Sequence, residues 1–80
     1  MLTAAQIRAA RALIGWSQPD LADASHLSMP TIRRMEGPLG PGRSTAANVD
    51  AVQRALEDAG VVFLDAGADA GGGPGVRLRA

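Results

Sequence analysis

The sequence predicts a mainly α fold: four to five short helices followed by a C-terminal two-stranded antiparallel β-hairpin. Helix-start and helix-stop residues recur in a regular order along the first 60 positions, with apolar residues at helical spacing between them. Beyond Gly60 the apolar pattern changes to that of strands. The chain accordingly divides into a helical unit over 1–60 and a hairpin over 61–80.

Thr3 and Gln6 have the spacing of a capping box, and Ile7, Ala10 and Ile14 follow at helical intervals. The first helix is expected at about 4–14, with Gly15 as its C-terminal cap. Ser17 and Asp20 form a second capping box. Trp16 before the cap and Leu21 after it are placed as a hydrophobic staple, and Pro19 falls in the first turn, where its missing N–H costs nothing. The second helix is expected at about 18–24. The same order then repeats: Ser28 as N-cap, Leu27 and Ile32 as staple, Pro30 in the first turn, and Gly37-Pro38 as the stop of a third helix at about 29–36. Only Ser25-His26-Leu27 separates the second helix from the third. Two short helices joined so tightly are expected to cross steeply, as a helix-turn-helix does.

Residues 37–43 read as a loop by their Gly and Pro content. A fourth helix is expected from Ser44 or Thr45, with Val49, Val52, Leu56 and Ala59 along one stripe and Gly60 as its cap. Val61-Val62-Phe63-Leu64 and Val76-Arg77-Leu78-Arg79 are the two strands. The Asp-, Ala- and Gly-rich connection between them is expected to be mobile at its tip. Packing volume is expected from Ile7, Leu13, Ile14, Trp16, Leu21, Leu27, Ile32, Met35, Val49, Val52, Leu56 and the 61–64 run.

Eighty residues build only a small core, and the absence of cysteine removes both disulfide staples and thiolate metal sites. Oligomerisation is then the expected further source of stability. No cofactor, metal or catalytic residue is expected. The single His26 has neither a second His nor a Cys beside it, adjacent Glu57 and Asp58 point to different sides of a helix, and Gly71-Gly72-Gly73-Pro74-Gly75 lacks the Lys-Ser/Thr and the helix of a phosphate-binding loop. An enzyme is not expected. No secretory leader pattern or membrane-length apolar run is seen, so a cytoplasmic location is expected. Net charge is zero, but residues 1–44 carry five arginines against three acids and residues 45–80 three against five. That polarity has the sense expected if the first half meets phosphate.

Ile14-Gly15-Trp16-Ser17-Gln18-Pro19-Asp20-Leu21-Ala22 and Leu27-Ser28-Met29-Pro30-Thr31-Ile32-Arg33-Arg34-Met35-Glu36 resemble the phage-repressor or XRE-type helix-turn-helix family, over roughly residues 4–58. The resemblance implies a repressor-like domain and a prokaryotic transcriptional regulator that binds double-stranded DNA as a homodimer. Its third helix would lie in the major groove. DNA contacts are implied for Gln18, Ser28, Met29, Pro30, Thr31, Arg33, Arg34 and Arg43. Arg34 is the implied base reader, since a guanidinium bonds guanine in bidentate fashion. Arg33, Thr31 and Arg43 are implied at phosphates, and Gln18 as a phosphate clamp at a helix N-terminus. The resemblance also implies a structural pair between Glu36 and Arg11. Two features depart from the family pattern: Met29 stands where a polar or basic residue is usual, and His26 where the turn usually has a left-handed Gly.

Plainer readings stand beside these. Arg33-Arg34 without the surrounding motif is a solvated pair, and Gln18 a helix-start residue. Other readings of the whole are an antitoxin that also holds a toxin partner, and a protein-interaction module on the same fold. The homodimer is expected to form through Val61, Val62, Phe63, Leu64, Val76 and Leu78, because one face of the hairpin rests on the helices and the other needs a cover.

Overall fold

The computed structural model describes residues 2–67 and 71–79. Four α-helices, α1 (Ala4–Ile14), α2 (Gln18–Ser25), α3 (Met29–Met35) and α4 (Ala46–Asp58), are followed by strands β1 (Val61–Leu64) and β2 (Gly75–Leu78). The segment 37–43, expected as plain loop, contains a 3-10 turn over Gly40–Arg43. Pro41, preset in φ and buried, supports that turn. None of the described helices is long and apolar enough to cross a membrane.

The helix boundaries follow from caps. Thr3 accepts from the Gln6 N–H while the Gln6 side chain accepts from the Thr3 N–H, and Ser17 and Asp20 reciprocate in the same way. α1 ends on left-handed Gly15, with the Trp16 N–H on the Arg11 carbonyl and the Gly15 N–H on that of Ala12. α2 ends identically on His26 (φ 60°, ψ 33°), with the Leu27 N–H on Ala22 and the His26 N–H on Asp23. His26 is the one non-glycine residue with positive φ among the described residues. The left-handed turn expected there is formed, on a residue that bears a Cβ.

One core unites the elements: Leu2, Ile7 and Ala10, Leu21 and Ala22, Ile32 and Met35, Val52, Ala55 and Leu56, and Val61. α2 packs on both α3 and α4, while α1 and α4 support the hairpin. Ile14, Trp16, Leu27 and Val49 lie partly buried against this core. Leu13 departs from expectation, being 42% exposed. It lies in the last turn of α1, flanked by Leu78 and the end of α4 rather than covered by them.

In the hairpin Val61 pairs with Leu78, Val62 with Arg77, Phe63 with Val76 and Leu64 with Gly75. Alternation puts Val61, Phe63, Val76 and Leu78 on one face and Val62, Leu64 and Arg77 on the other. The first face meets the core: Val61 is fully buried and Phe63 and Val76 pack against it. Its mouth is fastened by Gln6, whose Nε2 donates to the carbonyls of Leu64 (3.1 Å) and Gly75 (3.0 Å). With its Oε1 taken by the Thr3 N–H at 2.9 Å, this buried amide is well satisfied. The tip of the hairpin connection, 68–70, for which mobility was expected, lies outside the described residues.

Gln6→Leu removes those bonds and leaves two strand carbonyls without their donor. The expected loss is about 1–3 kcal/mol in urea unfolding. Leu13→Ala, at a position 42% exposed in the single chain, is expected to stay within about 0.5 kcal/mol when unfolding is followed at protein concentrations too low for self-association. His26→Gly is expected to raise stability by about 1 kcal/mol by removing the Cβ from a left-handed residue, read as a higher urea midpoint at constant m.

Candidate nucleic-acid interface

α3 has one buried and one exposed side. Ile32 and Met35 enter the core, and Glu36, its C-cap, is buried as well. Pro30, Arg33 and Arg34 are exposed, and Thr31 is half-buried at the margin. Ser28 caps the helix by accepting from the Thr31 N–H, and the Ser28 and Thr31 hydroxyls lie 2.9 Å apart. Met29, expected on the exposed side, is half-buried and packs against the core instead. One turn before Ile32, it sits at the edge of the buried side.

The helix is held at its C-terminal end by an ion pair. Arg11 Nε and Nη2 reach the two Glu36 oxygens at 2.7 and 2.8 Å, and Arg11 Nη1 donates to the Trp16 carbonyl at 3.1 Å. The Glu36 side chain is only 3% exposed. Its hydrogen bond raises the Arg11 pKa above the ordinary arginine value, against the opposing effect of burial. The Arg11–Glu36 pair that the resemblance implied is therefore present, with bidentate geometry that fixes orientation as well as distance.

Two further residues join it. Gln18 Nε2 donates to Glu36 Oε1 at 3.2 Å, so its side chain points into the molecule rather than outward as a clamp. The N-terminus of α2 also carries its own carboxylate, with Asp20 accepting from the Ser17 N–H at 2.9 Å. Arg8, which sequence reasoning passed over, donates to the Glu36 backbone carbonyl while remaining exposed. The available signal was its place three residues before Arg11, on the same side of α1.

The exposed arginines have no such partners. Among the described residues the ion pairs are Arg11–Glu36 and Arg54–Asp50, so Arg33, Arg34 and Arg43 face solvent unpaired. Arg33 and Arg34 occupy the last turn of a seven-residue helix, where cations also suit the exposed carbonyls. Arg43 closes the 3-10 turn, which packs beside α3. At Gly37, where the chain leaves α3, a Cβ would stand 3.3 Å from the Arg33 carbonyl oxygen, a tight contact that needs its neighbour to give by a few tenths of an ångström. Of the residues expected at DNA, Pro30, Arg33, Arg34 and Arg43 are exposed and Thr31 marginal. Ser28, also exposed, is engaged in capping, while Met29 and the Gln18 side chain turn inward.

No protein-family model matches the chain, and no curated protein sequence matches it.

The ion pair makes a sharp prediction. Arg11→Met leaves a buried carboxylate without its counter-charge and is expected to cost about 3–5 kcal/mol. Adding Glu36→Leu removes the stranded charge, so the double variant is expected to be more stable than Arg11→Met alone in urea titrations. Additive losses would show that the two side chains do not act as a unit.

Proposed function

We propose that the chain is a sequence-specific, double-stranded-DNA-binding transcriptional regulator acting as a homodimer. In this reading α2 and α3 form a helix-turn-helix of the phage-repressor or XRE type. The observation that carries it is the outer side of α3. Unpaired arginines project from a helix whose opposite side is buried and whose end is fixed by a bidentate ion pair, with no carboxylate on the exposed side. Rigid mounting matters because base readout needs a guanidinium presented in a fixed direction, whereas a flexible cationic surface supplies only unspecific attraction to phosphate.

Arg34 shares the exposed side with Pro30, four residues earlier, and is assigned to a guanine edge in the major groove. Arg33 and Arg43 are assigned to phosphates, with Thr31 and Ser28 at the margin. Gln18 acts in this reading through its backbone N–H at the start of α2, its side chain being committed to Glu36. The zero net charge favours one rival, a protein-interaction module on the same fold. Gel shifts on duplexes enriched from a random pool separate the two, since DNA binding through arginines weakens steeply with salt.

On an enriched site, Arg34→Ala is expected to relax preference at one base pair, with a cost of about 1–3 kcal/mol. Arg33→Ala and Arg43→Ala are expected to weaken all sites alike and make the salt slope shallower by about one unit each. Unchanged discrimination in Arg34→Ala removes that residue as the reader. Absence of any enriched sequence removes the DNA-binding reading.

A further inference from the structure

At one end of the molecule the last turn of α1, the end of α4 and the end of β2 enclose a groove of about 480 Å³, lined by Leu13, Ile14, Ala59, Gly60, Leu78 and Arg79. Of the three large apolar residues that are notably exposed among the described residues, Leu13 (42%) and Leu78 (45%) both lie in this groove. Charges at and beside it are also unfinished: Arg79 lines the groove, and Asp58 precedes the lining residue Ala59. α4 ends in exposed Asp58 with no basic residue in its last turn, so a carboxylate stands beside helix carbonyls that favour a cation. The Arg79 N–H is fixed to the Gly60 carbonyl at 2.8 Å, one pair beyond Val61 and Leu78, yet neither Arg79 nor Asp58 has an ion-pair partner among the described residues.

We propose that this groove is the centre of a two-fold interface with a second copy of the same chain. Leu13 and Leu78 of each copy would fill the groove of the other, and Arg79 of each would meet Asp58 at the end of the other's α4. Such an arrangement is self-complementary, as a two-fold contact requires, because each copy offers both the cation, on the groove lining, and the anion, next to that lining in sequence. Area points to where it extends. A stable interface takes roughly 800 Å² from each partner, about a sixth of the 4639 Å² surface of this chain. Six groove residues supply only part of that. The outer hairpin face, with half-buried Val62 and Leu64, adjoins Leu78 through Arg77 and supplies the remainder. Of the six residues expected at a dimer contact, Val61, Phe63 and Val76 serve the chain's own core, and Leu13, Ala59 and Arg79 take their place.

The inference rests on the homodimer of the proposed function, but its test needs no DNA. Full-length protein is expected to sediment as a dimer at about 100 μM. Leu13→Glu and Leu78→Glu are each expected to raise the dimer Kd at least about tenfold, while Leu39→Glu, at an exposed site outside the groove, leaves it unchanged. Asp58→Arg and Arg79→Glu are expected to weaken the dimer singly and to restore it when combined. For any variant whose circular dichroism shows loss of helix, the wild-type chain decides: a mixed-label sample is expected to give intermolecular NMR contacts from the Leu13 and Leu78 methyls. A monomer at that concentration overturns the interface, as does a dimer indifferent to both leucine variants or lacking those contacts. An intact dimer that binds no DNA sinks the proposed function and leaves the interface standing.

Discussion

The direction in which α3 points depends on a single buried carboxylate. Glu36 sits where α3 ends, and four groups from three other parts of the chain converge on it: Arg8 and Arg11 of α1, Gln18 at the start of α2 and, through Arg11, the Trp16 carbonyl of the connection. Burying a carboxylate is costly, and the charge is tolerable only with its guanidinium in place. An apolar substitute for the pair could pack equally well, but it would leave the rotation of α3 to shape alone. Two parallel N–H to oxygen bonds constrain it further.

A second polar lock works at the opposite end of α1. Gln6 closes the capping box and grips both strands where they part, joining the start of the helix to the hairpin. Between the two locks the core is built from few large side chains, with Ala10, Ala22 and Ala55 filling close approaches. In a domain this small, polar groups with defined geometry supply the specificity that a larger core would obtain from interdigitated side chains.

The helices were legible in the sequence because their ends are written in local chemistry. Thr3, Ser17, Ser28 and Gly15 act within a few residues of themselves, and the expected boundaries match to within a residue or two. Features settled by distant partners were not legible. Gln6 reads as half of a capping box, and nothing near it announces bonds to residues 64 and 75. Leu13 lies on an apolar stripe, but its exposure depends on where β2 stops. Gln18 looks outward by position, and only the burial of Glu36 turns its amide inward. The arginines of α3, which the resemblance put on an exposed side, do lie there, whereas Met29, put there with them, packs against the core.

The bonds from Gln6 span 58 and 69 residues, whereas the turns and caps of the helices close over three to five. Closing a long loop is entropically expensive before its contacts form, and short loops close first. The helical part can therefore assemble from local pieces, with the hairpin docking last and detaching first. Amides of β1 and β2 would then exchange with solvent through partial opening while those of α2 and α4 await global unfolding. A surface near the hairpin would thus vary in availability even when α3 is held firmly in place.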